Sequence, residues 1–563
     1  MKSFFQASLI TLIIINLNCA NQRTPTGGPK DTIPPTLISS IPLNETINFN
    51  NNWIELSFND NINTTALKKN LIISPLTELK YSTKTKKNKI RLTFENQLLD
   101  NTTYTFNFVQ GITDLTEKNP VINLSLALST GPYIDSLMIT GHVRELYKQQ
   151  PVKNTLVGLY PYSDSLNLLT DKPLYFNTTN DSGMYKIQNI KFGKYKLFAF
   201  NDDNNNFKFD AKNEAYGLKP SFISLSENME NVNIIINTVD SRPLKLISAR
   251  PFGRYYNVRY SKPITSYTFT YLPPHNYSYL HQFNEDFTNI QIYPPLDDHF
   301  NPEFDSSRLI LAVRDTVGQQ SLDTIYVKFL SSQINPNEPN SKINSISINE
   351  NQYRISLSFD KPISVIDTSK IFLKTDTLIP SIYIKPQNFH WNFNRTALSF
   401  KISVDWIDIQ NSLNESLEKY HAIDSLIPDK RNLTRISIVF DSACFKDADG
   451  IALPKSLITI TKKTPEDFGI LHVNTITEET SFIVQILNNK DDIVTERKNQ
   501  KKFTVLYMAP SLYKLRVLID DDKNGIWSVG NFINDSAPET IYLYPKTTKI
   551  SSNWEVSIDD LSF

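Results

Sequence analysis

Two acidic loops are the stretches of this 563-residue sequence whose residue types and spacing best suit a chemical task. In one, Asp520, Asp522 and Asn524 occupy alternate positions, Gly525 follows where a sharp turn is needed, and Ile526 can offer a main-chain carbonyl. Alternating oxygen donors around a turn glycine suit a hard cation such as Ca²⁺, whose loops take ligands at positions one, three, five and seven. In the other, Asp202, Asn204 and Asn206 stand at the same spacing. Position twelve, the usual place of a bidentate Glu, is Asn531 in one loop and Asn213 in the other, and Phe207 stands where the first loop would need its glycine. The same residues also close β-hairpins without an ion, because Asp, Asn and Gly supply turn geometry by themselves. Two readings follow, a calcium-stiffened loop and a structural turn, and in both the loop rigidifies instead of catalysing.

Cys19 is the other residue with a definite chemistry. Lys2 supplies a positive start and Leu9 to Leu17 an apolar core too short to span a bilayer, so residues 1–18 read as a secretory signal cut before Cys19. An acylated cysteine carries enough methylenes, at about 0.8 kcal/mol each, to hold a water-soluble body on a membrane surface. Asn18 and Asn16 stand where bacterial lipidation signals usually carry a small residue and a Leu. The alternative is an ordinary cleaved signal with a chance cysteine. The chain has 2 Cys, so acylation at Cys19 leaves Cys444 without a disulfide partner, and apolar cores must provide the stability.

Other chemistries find little support. The 7 His form no H-E-x-x-H or H-x-x-x-H pair, and 15 Gly include neither a P-loop nor a Rossmann fingerprint nor a G-x-S-x-G elbow. No catalytic or cofactor-binding residue is assigned, and the expectation is a protein that is not an enzyme. Charge balances at 58 basic against 58 acidic residues, so nucleic-acid binding is not expected.

The elements around these residues read as strands. Trp53 to Phe58, Lys89 to Phe94 and Thr103 to Phe108 alternate apolar and polar residues with period two, and Asn/Asp/Pro clusters punctuate them. Tyr267, Phe269 and Tyr271 share one face of such a strand in a Tyr-rich stretch, Arg254 to Phe283, which favours packing over a sugar-stacking or interface role. One exception is helical: Leu413, Leu417, Tyr420 and Ile423 recur at spacings of three and four, and Pro428 would end that helix. The fold class is therefore all-β: tandem antiparallel β-sandwich modules with one short helical insertion, and the motifs of these modules resemble Ig-like and transthyretin-like sandwiches.

The divisions expected are residues 1–18 as signal, 19–32 as lipidated cysteine and tether, and 33–132 as an Ig-like domain. A carboxypeptidase-regulatory-like sandwich follows at 133–240, Ig-like sandwiches at 241–335 and 336–464 (the latter holding the helix), and a transthyretin-like sandwich at 465–563. The tether, ANQRTPTGGPKD, reaches about 40 Å when extended at about 3.3 Å per residue. FDKPI and FKDADGIALP in the fourth module repeat FNDNI and ITDLTEKNP in the first. Tyr513-Lys514-Leu515 and its acidic loop repeat Tyr195-Lys196-Leu197 and its own.

The stretch from IPPTLISSIP through ALSTG, with PTGGPKDTIPP at Pro25 to Pro35, resembles the bacterial Ig-like domain that opens many Bacteroidetes lipoproteins. The order of strand, Asp-Ser-Gly turn and Gly-Lys-Tyr strand in the second module is similar to the carboxypeptidase-regulatory or transthyretin-like sandwich. Asp135-Ser136-Leu137, Asp164-Ser165-Leu166, Asp323-Thr324-Ile325 and Asp424-Ser425-Leu426 resemble O-glycosylation triplets of exported proteins of that phylum. These resemblances imply an outer-membrane lipoprotein, anchored by lipid, whose partners are outer-membrane or other envelope proteins. A scaffold or subunit role follows, with a calcium-stiffened adhesin or glycan-binding lipoprotein as the alternative.

Overall fold

The computed structural model describes residues 31–563 apart from residue 123 and segments 273–278, 296–305, 331–336, 348–350, 376–380, 384–386, 424–425 and 427–430. Cys19, the signal, nearly all of the tether, and Asp424 with Ser425 lie outside the described residues. The chain is all-β, as the alternation of its apolar residues predicts. In the first module Leu37–Ile41, Trp53–Phe58, Lys89–Phe94 and Tyr81–Lys86 form one sheet in that order, facing a sheet of Ile72–Ser74, Thr103–Asn107 and Ser125–Ser129. Ile54, Leu56, Phe58, Ile90 and Leu92 all point inward at intervals of two and are fully buried. At about 25 cal/mol per Å² of apolar surface, that shared face is what holds each sandwich closed.

The repeated peptide signals meet one another in space. Ile62–Asn63 pairs with Thr113–Asp114 in the first module, and Ile363–Ile366 pairs with Phe445–Asp447 in the fourth. The Asp in each clip, Asp114 and Asp447, accepts main-chain N–H groups of the loop that follows it. The third module carries the same device, with Asp315 accepting from Val317 and Gln319. Lys262 forms an ion pair with Asp315 in which neither side chain is exposed, and Lys361 reaches Asp447 at 3.6 Å and Asp449 at 2.9 Å.

The second and last modules share one topology. In the second, Leu137–Glu145 lies between Met184–Ile190 and the parallel strand Ile234–Ile236, and Gly193–Phe200 anchors a larger sheet with Leu156–Pro161, Tyr175–Thr178 and Tyr216–Leu218. In the last, Gly469–Ile476 lies between Lys502–Met508 and the parallel strand Glu555–Ser562, and Ser511–Ile519 anchors Phe482–Leu487, Ile493–Lys498 and Ile541–Leu543.

The helix runs from Trp406 to His421, capped by Asp405, whose carboxylate accepts from the N–H groups of Ile407 and Asp408. Its buried stripe is Trp406, Ile409, Leu413 and Leu417. Tyr420 and Ile423 differ from expectation: Tyr420, in the last turn, is 44% exposed and outside the buried stripe, and Ile423 is 83% exposed because the helix stops at His421 before reaching it. No helix among the described residues is long and apolar enough to cross a membrane.

Candidate functional site

Each acidic loop leaves the central strand of a larger sheet: Asp202 follows Gly193–Phe200 and Asp520 follows Ser511–Ile519. Both aspartates turn their side chains back onto the loop. Asp202 accepts from the N–H groups of Asn206 and Phe207, each at 2.9 Å, and Asp520 from Asn524 at 3.1 Å and Gly525 at 2.8 Å. Asp520 also takes the Ser481 hydroxyl at 2.5 Å. That bond, with the two main-chain N–H groups, holds the Asp520 carboxyl below the usual carboxylate range.

The middle residues complete matching turns. Asn204 and Asp522 accept from the N–H of Asn206 and Asn524, at 3.1 and 3.0 Å. Asn206 and Asn524 accept in turn from Lys208 and Ile526, at 2.6 and 2.8 Å. Gly525 has φ +89° with open space where a Cβ would be, whereas Phe207 holds the corresponding left-handed position at φ 61°. Its ring, edge-on to Phe176 at 5.0 Å, supplies the packing that offsets this conformation. The Ile526 side chain is 58% exposed.

Sequence spacing missed a further carboxylate in each loop. Glu214, the residue after Asn213, accepts from Asp203 N–H at 3.2 Å and Asp210 N–H at 2.7 Å. Glu539 does the same with Asp522 at 3.3 Å and Ser528 at 2.6 Å. Burial raises the pKa of both above the ordinary value, and neighbouring aspartates add to the effect. Asp520, Asp522 and Glu539 each present one oxygen within 4.8 Å of the others, the spacing of a hard-cation site. In the first loop Asn204 stands where Asp522 stands in the second, leaving Asp202 and Glu214 as the matching acids.

Asn531 at position twelve points away from this cluster: its carboxamide donates to the Val317 carbonyl at 3.3 Å and accepts from Ile533 N–H at 2.9 Å. The excursion between Asp520 and Glu539 instead grips the second module. Phe532 packs edge-on against Phe209 and Tyr216 at 5.5 and 5.7 Å, and Asp535 pairs with Lys196 and accepts from Ser221 N–H at 2.9 Å. Beside it, Leu146 of the second module is buried with Leu518 and Ile541 of the last, with Tyr147 and Trp527 packed against them.

Of the remaining reactive residue types, Cys444 is buried, and burial pushes its thiol up to about 12, so it stays protonated and inert. Tyr267, the inward residue of the Tyr-rich stretch, is 4% exposed, whereas Phe269 and Tyr271 are half-buried.

Residues 31–130 match the family described as the bacterial Ig-like domain. No curated protein matches the chain. Among solved structures, BcpA, the major pilin subunit of Bacillus cereus, is 9% identical over 76% of this chain and 98% of its own, with a TM-score of 0.13. Surface layer protein SbsC, domains 1–6, is 11% identical over 92% of this chain and 67% of its own, at 0.14. The N-terminal four Ig domains of Dscam1 isoform 8.4 are 6% identical over 68% of this chain and 88% of their own, at 0.15. At such scores the likeness carries no argument about arrangement or role.

Proposed function

We propose that this chain is a non-enzymatic scaffold of the bacterial cell envelope, an outer-membrane lipoprotein held by Cys19 that contacts outer-membrane or other envelope proteins. The observation that carries this reading is the clasp between the second and last modules. Asp535 and Phe532 lock two distant parts of the chain together, which suits a body built to present fixed surfaces. A lipid anchor confines those surfaces to one plane and raises their effective concentration for membrane partners. Balanced charge argues for protein partners over nucleic acid. Membership of an outer-membrane protein-assembly or secretion complex is the specific form proposed. Affinity purification from detergent-solubilised outer membrane tests it: a stoichiometric barrel partner supports the subunit role, and recovery of the chain alone removes it.

A second reading, an adhesin or glycan-binding lipoprotein stiffened by Ca²⁺, is favoured by the convergence of Asp520, Asp522 and Glu539. In it Asp520, Asp522 and Glu539 supply carboxylate oxygens, Asn524 and Ile526 remain candidate ligands, and Asp202, Asn204 and Asn206 form a weaker copy with Glu214. The ion would stiffen the loop that reaches the second module. A melting curve unchanged by chelation removes this reading and leaves the scaffold reading standing.

A further inference from the structure

A cleft of about 430 Å³ opens where the third and fourth modules meet, far in the chain from both acidic loops. Its volume falls in the range of about 300–1,000 Å³ typical of small-molecule sites. One wall comes from the strands Ile264–Leu272 and Leu280–Phe283, each at the edge of its own sheet in the third module. The other wall is the turn after Gln387–Trp391 in the fourth module, which carries Phe393, Asn394 and Arg395. Tyr267 ties the walls together: its hydroxyl sits 2.8 Å from His281 Nδ1 and donates to Asn394 Oδ1 at 3.4 Å.

The lining has three chemical parts. Phe269, Tyr271 and Phe393 supply aromatic surface, and Phe393 is 65% exposed at the tip of its turn, with its ring centre 4.7 Å from that of His281. The Phe393 ring also lies edge-on to Tyr267 at 5.7 Å, so one part of it packs across the module junction and the rest faces the cleft. Asn394 and Thr268 supply neutral hydrogen-bonding groups. Arg395 supplies a cation. Its guanidinium lies over the Trp391 ring at 5.0 Å, with Nε buried beneath the surface. Among the described residues no Asp or Glu lines the cleft. A carboxylate that enters the cleft would meet the positive charge of the guanidinium with short, charge-assisted bonds.

From this arrangement we infer that the cleft between the third and fourth modules binds an acidic saccharide, with a uronate carboxylate on Arg395 and a pyranose face on Phe393. The polarised C–H bonds of a sugar ring meet the negative face of an aromatic ring, and hydroxyl groups suit the Asn394 carboxamide. This site deepens the glycan-binding reading but does not depend on calcium at the acidic loops, so the two fail independently.

Isothermal titration calorimetry on the full chain in detergent, with tetragalacturonate and its methyl ester as probes, tests the inference. The acid is expected to bind, with the ester at least about tenfold weaker because it lacks the charge that Arg395 meets. Phe393→Ala should weaken the acid by about tenfold, and Phe393→Leu, which keeps apolar bulk against Tyr267 and His281 but lacks a ring face, should weaken it similarly while leaving the melting temperature near that of the native chain. Arg395→Gln should abolish the preference for acid over ester. Absence of heat with the acid, equal binding of acid and ester, or an unchanged affinity in Phe393→Ala would each overturn it.

Discussion

Lys196 of the second module and Asp535 of the last form an ion pair across 339 residues of sequence, and the Lys196 side chain is only 5% exposed. Lys196 belongs to the central strand Gly193–Phe200, and Asp535 to the excursion between Asp520 and Glu539. The acidic cluster and the clasp are thus two parts of one loop.

Breaking the clasp should open the body. Asp535→Ala strands a buried ammonium and is expected to cost about 2 kcal/mol, less than the ~3–5 of a fully buried pair because Asp535 is itself 45% exposed. Phe532→Ala removes the ring seated on Phe209 and Tyr216. Faster hydrogen exchange confined to 527–537 and to 216–222, together with a larger radius of gyration in solution scattering, is the expected outcome.

Lys262 and Asp315 make a different test, since neither side chain is exposed. Lys262→Met leaves an unpaired carboxylate in the third module and should lower stability by about 3–5 kcal/mol. Adding Asp315→Asn removes that charge while keeping an acceptor for the Val317 and Gln319 N–H groups, and should recover much of the loss. Calorimetric melting of the single and double variants reads both effects.

Acid stability should report His281. Burial lowers its pKa from 6.5 to about 4, so the folded chain holds it neutral while the unfolded chain protonates it. Its contribution is complete above about pH 6.5 and is lost as pH falls to about 4, at 1.36 kcal/mol per unit, or about 3 kcal/mol in all. Melting temperature followed over that window should fall less steeply in His281→Asn than in the native chain.

Calcium should raise the melting temperature if the second reading holds, by about 2.7 kcal/mol of stability at a hundredfold excess over Kd. Glu539→Gln, which withdraws one of the three converging carboxylates, should remove most of that gain. Asp520→Ala with Asp522→Ala should remove all of it.

Membrane attachment should depend on residue nineteen. Cys19→Ser is expected to move the chain from the membrane to the soluble fraction, and the intact mass of the native protein should carry three acyl chains. A native chain found in the soluble fraction would remove the anchor from the proposal.

Local chemistry was legible in the linear sequence. Alternation such as Trp53 to Phe58 dictates a strand with one buried face, because side chains on a strand point to opposite sides in turn. The spacing of Asp202, Asn204 and Asn206 likewise dictates the turn bonds now seen, since each reaches a main-chain N–H within five residues. The helix was readable from Leu413 and Leu417, but its ends were not, because the Asp405 cap and the stop at His421 depend on single local contacts.

What tertiary structure alone decided is which distant residues complete each local device. Glu539 joins Asp520 and Asp522 because an excursion of variable length folds back between them, so no fixed spacing announces it. Lys196 finds Asp535, and Asn394 finds Tyr267, only once whole modules dock. A turn or strand is set by bonds among near neighbours, whose geometry the chain itself constrains. Docking is set by the fit of finished surfaces, and the residues that meet there carry no mark in their order along the chain.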